Sequence, residues 1–580
     1  MTCVYDFLRS TFVATDKAKV RVAGRLALPF LLAMLGASCG DVYRPVALPI
    51  PAPSPTPAPV AHIFAVSSNG SAPNNTLANP GSINRIDVSG DSVVSSIAAG
   101  VGSIHAALTT NGARIYVVNS VEDTVFASPT NTSPQGTTVN LVQLCDSAGC
   151  PPITPVFVHT TEIARMYVAD EGNGTISVID TTSVAVVNTF AVAPGNAGSP
   201  LPLPDRNSKP VALAELPNGT KIYALNKGTN SVSSINTQDG FINKVIALGA
   251  TPQWAVANPD NAHVYVIDSA GTISVIDSRT DTVVSSVSAG SAGTKPNHIA
   301  YDPIYNRVFA TAANSPQPAV ATFDVSGTSA NPNSTLVPHG PGTALITPAA
   351  GSTCASVPVP AAITVLGDGS RAYVASYQDD GTQICTQATV IDTGTGLVTK
   401  TVALSQTGLP ANAISQTNCD VARFRVYATS SNGSTNSNFK VYVSQCDAGT
   451  VAIVDTFAVP TGPDPHPSEW LAGWLASPVS TFPGSQVSII GVSAPQVTCP
   501  APTQVAYSYS LLNGPALQPG MTIYIGGMSS GANDGAFPIM TATGSSFTVT
   551  NICPAPDSTA QNGTGAVLPP QNPVFLVPGP

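Results

Sequence analysis

Two histidines and a tryptophan are the residues of this chain whose types and spacing could do chemistry: His105, Trp254 and His298. Each lies eleven positions before an aromatic residue of a strand pattern that recurs along the chain. Imidazole nitrogens bind metal ions or move protons near neutral pH, and an indole offers an apolar face to a ligand. Two histidines without a carboxylate at the same register make an incomplete metal site, so we predict no metal, no cofactor and no catalytic residue. The plainer alternative is that these are polar side chains solvated by water.

The recurring pattern is a short aromatic-centred strand followed by a second apolar strand. Gly174–Asp180 and Gly271–Asp277 have the identical sequence GTISVID, and Asp91–Gly100 nearly repeats at Asp281–Gly290. Four short strands in each unit, with no helical pattern, indicate the blades of a β-propeller in an all-β chain. The aromatic anchors of the units lie 42 to 69 residues apart and are Phe64, Tyr116, Tyr167, Tyr223, Tyr265, Phe309, Tyr373 and Tyr442.

Two blade numbers are compatible with these eight anchors. The first unit lacks an innermost strand and the last lacks an obvious outermost one, and propellers commonly close by combining strands from both ends of the repeat region. We favour seven blades, with eight as the alternative.

The anchor strands YVVN, YVAD and YVAS resemble the YVTN family of β-propeller repeats, which is WD40-like in architecture. The resemblance covers about residues 61–460. It implies a ring of blades and an extracytoplasmic location, but no single activity, because propellers host binding and catalysis alike. Since innermost strands face the central channel, we expect the two histidines and the tryptophan to line one layer of its wall. The other residues aligned with this layer are Val156, Ala212 and Ala362.

The beginning of the chain has the order of an export signal. Basic residues precede the apolar run Leu26–Leu35, which small residues and Cys39 follow. A cysteine in this place resembles a lipobox, although the leucine lies one position too far upstream. We therefore predict a lipoprotein of the outer or inner membrane that faces the periplasm or cell surface. A plain cleaved signal with an incidental cysteine is the alternative.

Composition shifts divide the chain into five predicted regions. They are a signal peptide with its lipobox-like cysteine (1–39), a proline-rich tether (40–60), the propeller (61–475), a small β-sandwich-like domain (480–555) and a disordered Pro/Gly-rich tail (556–580).

The eight cysteines other than Cys3 and Cys39 agree with export, because an even number in an exported chain indicates disulfides. We favour pairing of sequential cysteines, which keeps each bridge within one repeat or domain; free buried thiols are the alternative. The candidates are Cys145, Cys150, Cys354, Cys385, Cys419, Cys446, Cys499 and Cys553.

The charge of the chain excludes one class of partner. The chain has a net charge of −10 and, after the predicted signal, no cluster of Lys or Arg, which is unsuited to a phosphate backbone, so nucleic acid is excluded. We predict a membrane-tethered binding or scaffolding module for a protein or small-molecule ligand. The alternatives are a propeller enzyme that uses the central channel, either a lactonase-like hydrolase or an oxidoreductase, and a structural or adhesive surface protein.

Overall fold

A computed structural model describes the greater part of the chain after residue 59. The described residues are 60–68, 81–131, 136–142, 152–161, 164–193, 206–290, 292–293, 295–314, 317–381, 384–404, 419, 423–431, 439–458, 467–476, 485–493, 503–513, 516–517, 522–526, 528, 533, 535–551, 564–568 and 572–580. Within them, no helix combines the length and apolarity needed to cross a membrane.

The described residues form eight four-stranded antiparallel sheets and one closed barrel. Blade 1 begins with β1 (His62–Ser67), β2 (Gly81–Asp87) and β3 (Ser92–Gly100). Blade 2 comprises β4 (Ser103–Leu108), β5 (Arg114–Asn119), β6 (Thr124–Pro129) and β7 (Thr137–Asn140). Blade 3 comprises β8 (Pro155–Thr160), β9 (Arg165–Asp170), β10 (Thr175–Asp180) and β11 (Ala185–Ala191). Blade 4 comprises β12 (Pro210–Glu215), β13 (Lys221–Asn226), β14 (Ser231–Asn236) and β15 (Ile242–Ala247).

The second half of the ring repeats this order. Blade 5 comprises β16 (Pro252–Ala257), β17 (His263–Asp268), β18 (Thr272–Asp277) and β19 (Thr282–Ser288). Blade 6 comprises β20 (Ile299–Asp302), β21 (Arg307–Ala312), β22 (Ala319–Ser326) and β23 (Thr335–Leu345). Blade 7 comprises β24 (Val359–Val365), β25 (Arg371–Asp379), β26 (Ile384–Asp392) and β27 (Leu397–Ala403). Blade 8 comprises β28 (Val426–Ser430), β29 (Lys440–Gln445), β30 (Thr450–Asp455) and β31 (Trp470–Ala476).

The barrel follows blade 8, and the closing strand of the ring follows the barrel. The barrel strands are β32 (Ser485–Ser493), β33 (Thr503–Asn513), β34 (Thr522–Gly526), β35 (Gly535–Ala542), β36 (Ser546–Asn551) and β37 (Thr564–Leu568), in the order β32-β33-β36-β35-β34-β37. Strand β38 (Pro573–Gly579) then pairs antiparallel with β1 and completes blade 1.

The ring closes through its innermost strands. Each packs against the next, in the cycle β38, β4, β8, β12, β16, β20, β24, β28 and again β38. Of the two blade numbers that the sequence left open, eight agrees with these sheets, and the favoured seven does not. The first unit lacks an innermost strand in the sequence because β38 supplies it from beyond the barrel.

The C-terminal region differs from its prediction in two ways. Residues 564–568 and 573–579 form strands, although their Pro and Gly content predicted a disordered tail. The apolar side chains of β38 are buried in the ring, which outweighs the poor strand propensity of its prolines. The region before it is a closed barrel rather than a sandwich, and closure leaves no sheet edge unpaired.

Hydrogen bonds from the buried anchor tyrosines join neighbouring blades. The Tyr223 hydroxyl of blade 4 donates to Asp281 of blade 5 at 2.8 Å, and Nζ of Lys221 donates to the same carboxylate at 2.8 Å. Tyr442 of blade 8 donates to Asp91 of blade 1 at 2.9 Å in the same way. Both aspartates have a positive φ, 51° and 45°, in the turn before an outermost strand. The same tyrosine–aspartate contact therefore joins blade 4 to blade 5 and blade 8 to blade 1.

Two disulfide bonds lie within the described residues. Cys354 pairs with Cys385 and Cys419 pairs with Cys446, which confirms sequential pairing for these four cysteines. Such bonds are typical of proteins that fold in an oxidising compartment. The other candidates lie outside the described residues, as does the lipidation candidate: Cys145, Cys150, Cys499, Cys553 and Cys39.

Candidate functional site

A single layer of residues, one from each blade, lies on the innermost strands, except that His298 directly precedes the first residue of β20. In every blade the layer residue is opposite the residue two positions after the aromatic anchor. This layer consists of His105, Phe157, Ala212, Trp254, His298, Ala362, Tyr427 and Phe575. The spacing of eleven residues before the anchor therefore predicts five of these positions correctly, but in blade 3 it predicts Val156 instead of Phe157.

The layer is a packed aromatic cluster around Trp254. The ring centroid of Trp254 lies 4.7 Å from that of His298 and 6.2 Å from that of His105. Phe157 and Phe424 approach it edge-on at 5.4 and 5.3 Å. The two histidines are 5% and 4% exposed, so the interpretation of both as water-solvated channel residues does not fit.

The two histidines make the same backbone contact. Nδ1 of His105 accepts a hydrogen bond from the Val158 amide at 3.4 Å, and Nδ1 of His298 accepts one from the Ile363 amide at 3.3 Å. Because Nδ1 is the acceptor, the proton of the neutral ring is on Nε2.

Burial keeps both rings neutral. It lowers the pKa of His298 to about 3 and the pKa of His105 well below its ordinary value, and the charge of Arg423 contributes to both shifts. Neither imidazole is therefore poised to exchange a proton near neutral pH. Among the residues that the structure describes, no group of three or more His, Cys, Asp or Glu is placed to hold a metal ion.

A segment outside the repeats adds Arg423 and Phe424 to the cluster. The guanidinium of Arg423 lies 4.7 Å from the ring centroid of Trp254 and donates to the carbonyl oxygens of Val211 and Gln253. Each of these two carbonyls belongs to the bulged residue just before a layer residue. Burial lowers the pKa of Arg423 to about 10, so it stays charged at neutral pH.

A cavity of about 400 Å³ adjoins the cluster on the inner walls of blades 5 to 8. Trp254, His298 and Tyr427 of the layer line it. The rest of its described wall is largely apolar and includes Val256, Ala300, Tyr301, Ile363, Thr364 and Leu366. None of the described residues that line it is Asp, Glu, Lys or Arg. The cavity therefore has the size and polarity of a site for a small molecule.

One ring nitrogen of His298 lacks a hydrogen-bond partner among the described residues. This nitrogen, Nε2, is buried. A buried donor without an acceptor is destabilising, so native structures pair nearly all of them. His298 is thus the one layer histidine that both lines the cavity and has an unpaired donor in the described part of the chain.

Sequence reasoning missed Phe157, Phe575, Tyr427, Arg423 and Phe424. A signal for the first two was present, because a proline lies two positions before the layer residue in most blades. The tripeptide Pro-Val-Phe occurs both at 155–157 and at 573–575. A fixed spacing of eleven residues does not reach Phe157, because the hairpin of blade 3 is one residue shorter. It does not reach Tyr427 either, because the hairpin of blade 8 is longer.

Comparisons with known proteins bear on the fold alone. No protein-family model and no curated protein matches the chain. The solved structures that it resembles include dihydro-heme d1 dehydrogenase NirN, with 11% identity over 72% of this chain and 76% of that chain and a TM-score of 0.47. They also include a putative 6-phosphogluconolactonase from Bacteroides fragilis, with 16% identity over 59% of this chain and 95% of that chain and a TM-score of 0.41. The Myceliophteria thermophila Cps50 (Swd1) β-propeller domain is 8% identical over 61% of this chain and 96% of that chain, with a TM-score of 0.41. The chain is a β-propeller, and likenesses this distant do not bear on its activity.

Proposed function

We propose that this protein is an exported binding module whose small-molecule ligand occupies the cavity beside His298. The single observation that carries the proposal is that cavity, which residues of four blades line and which ends on the aromatic layer. A preformed apolar cavity with a few polar groups is the usual form of a small-molecule site.

Binding has more support than catalysis. Both layer histidines hold Nδ1 in a backbone hydrogen bond and stay neutral. No carboxylate lines the described wall of the cavity, so a general acid–base pair is lacking there. The hydrolase and oxidoreductase alternatives have no comparable observation in their favour.

Export and anchoring form the second part of the proposal. The signal-like start, the two disulfides and the resemblance to the YVTN family support an extracytoplasmic location. We propose that Cys39 carries the lipid and that the proline-rich segment after it is the tether. Metabolic labelling with an alkyne fatty acid tests the anchor: we expect label on the wild-type protein and none on Cys39→Ser, and equal labelling of both would contradict it.

Filling the cavity tests the binding site. Ala300 lines the cavity, and Ala107 occupies the same register in blade 2 outside it. We expect fragments found by ligand-observed NMR against the full chain to lose binding to Ala300→Phe by at least about tenfold. Ala107→Phe is the matched control and should retain them. Equal binding to both variants would show that the fragments sit elsewhere.

A further inference from the structure

We propose that the cavity ligand is an uncharged, ring-bearing molecule that accepts one hydrogen bond from Nε2 of His298. This inference rests on the proposed binding function and specifies the chemistry of the ligand.

The wall of the cavity argues against a charged ligand. Its described side chains are apolar or neutral and polar, with no carboxylate, ammonium or guanidinium group to pair with an ion. Arg423 contacts the layer but does not line the cavity. An ion placed there would lose part of its hydration without gaining a charged partner, which is unfavourable.

The shape of the wall favours a flat ring. Trp254, Tyr301 and Tyr427 bring three aromatic side chains to a space of about 400 Å³. Aromatic walls bind planar apolar groups through large contact areas and offset or edge-to-face packing. The ligand body is therefore expected to be aromatic or a compact cycloalkane.

The polar requirement comes from His298. Its Nδ1 is occupied by the Ile363 amide, so the ring can only donate, through Nε2. Among the hydroxyl groups in the wall, that of Tyr301 already donates a hydrogen bond to the side chain of Asn306 at 2.7 Å. A carbonyl or ether oxygen on the ligand would give the buried Nε2–H the acceptor that the described residues do not supply.

Binding at this atom involves a small movement of the layer. The rings of Trp254, Phe424 and Tyr427 lie within 5.9 Å of the His298 ring, centroid to centroid, and shield it. Nε2 itself is buried from solvent. One of these rings must turn aside for a ligand oxygen to reach Nε2, so a bound ligand should perturb their signals as well.

Three nearly isosteric probes test the proposal on the full chain. Acetophenone has a ring and a carbonyl acceptor, α-methylstyrene replaces the carbonyl oxygen with CH₂, and benzoate has a negative charge. By titration calorimetry or ligand-observed NMR we expect acetophenone to bind at least about tenfold more tightly than either of the others, as one hydrogen bond to a buried donor allows. In ¹⁵N-edited spectra of the histidine rings, acetophenone should shift the Nε2–H resonance of His298 downfield.

Paired variants locate the effect. His298→Phe should abolish the preference for acetophenone over α-methylstyrene, whereas His105→Phe, at the same register of blade 2, should keep it. Tyr427→Phe should change acetophenone binding less than about threefold, because His298 rather than the phenol donates. Should His298→Phe fail to fold, the ¹⁵N shift in the wild-type protein decides the question.

The outcomes separate this inference from the proposed function. Equal affinity for α-methylstyrene overturns the acceptor, and tight benzoate binding overturns neutrality, while fragments blocked by Ala300→Phe would still support the cavity. A lack of any fragment sensitive to Ala300→Phe overturns the binding function itself.

Discussion

The inner walls of blades 2 and 6 carry the same histidine in the same register, yet one wall is solid and the other is hollow. His105 lies between Phe157, which stacks on it at 4.0 Å, and Phe575, which is tilted against it at 4.1 Å, measured between ring centroids. His298 faces a cavity, and the next blade contributes Ala362 to the layer. The layer residue of the next blade thus differs between the two walls, Phe157 after His105 and Ala362 after His298, and we expect this difference to influence access to the histidine.

Opening the solid wall should have the largest effect on stability. Phe157→Ala removes a buried ring beside His105 and leaves a cavity, which we expect to lower the free energy of unfolding by about 3–5 kcal/mol. Urea unfolding followed by tryptophan fluorescence measures the propeller alone, because the three tryptophans of the chain, Trp254, Trp470 and Trp474, all lie in blades 5 and 8. Phe241→Ala is the control, since that ring is 67% exposed. Similar losses for the two variants would mean that Phe157 is not part of a tight layer.

Closing the hollow wall is the reverse change. Ala362→Phe places in blade 7 the residue that blade 3 has at this position. We expect overpacking to lower the free energy of unfolding by about 1–3 kcal/mol and ligand binding to fall below detection. Thermal unfolding and fragment binding measured on one preparation test both effects. Undiminished binding would refute the view that the neighbour of His298 decides access.

The pH dependence of stability should be the same for both walls. Burial lowers the pKa of each layer histidine, to about 3 for His298, so the unfolded chain binds protons below pH ~6.5 that the folded chain refuses. Stability is therefore fully present above pH ~6.5 and falls as the pH drops below that value, by up to about 1.4 kcal/mol per pH unit for each histidine; for His298 the fall continues to about pH 3. The charged or titratable groups that act on these rings are Arg423, which affects the pKa of both, and His159, which affects the pKa of His105.

Asparagine variants isolate this contribution from that of the carboxylates. His105→Asn and His298→Asn keep an oxygen near the position of Nδ1. Each should reduce the slope of stability against pH, between pH 6 and pH 4, by about the amount that one bound proton contributes. Urea unfolding at several pH values provides the slope. An unchanged slope for either variant would indicate that this histidine is protonated in the folded protein.

The sequence predicted layer residues where the spacing between repeats is constant, and it missed those where the spacing changes or the segment lies outside the repeats. The aromatic anchors and the eleven-residue spacing place His105, Trp254 and His298 correctly because hairpins of equal length preserve register. Arg423 and Phe424 come from a segment that belongs to no repeat, and only tertiary packing brings them to the layer. The cavity could not be predicted, because it depends on how side chains from four blades, distant in the sequence, pack against one another.

The route by which β38 completes blade 1 has a consequence for biogenesis. His62 in β1 lies 518 residues before Pro580, whose backbone oxygen it contacts through Nδ1 at 2.7 Å. While the chain is being synthesised, the inner edge of β1 has no partner until β38 emerges after seven further blades and the barrel. Such distant pairing is slow, and an open strand edge in the interval invites association with other chains. Chaperones that shield extended segments are therefore expected to increase the yield of folded protein.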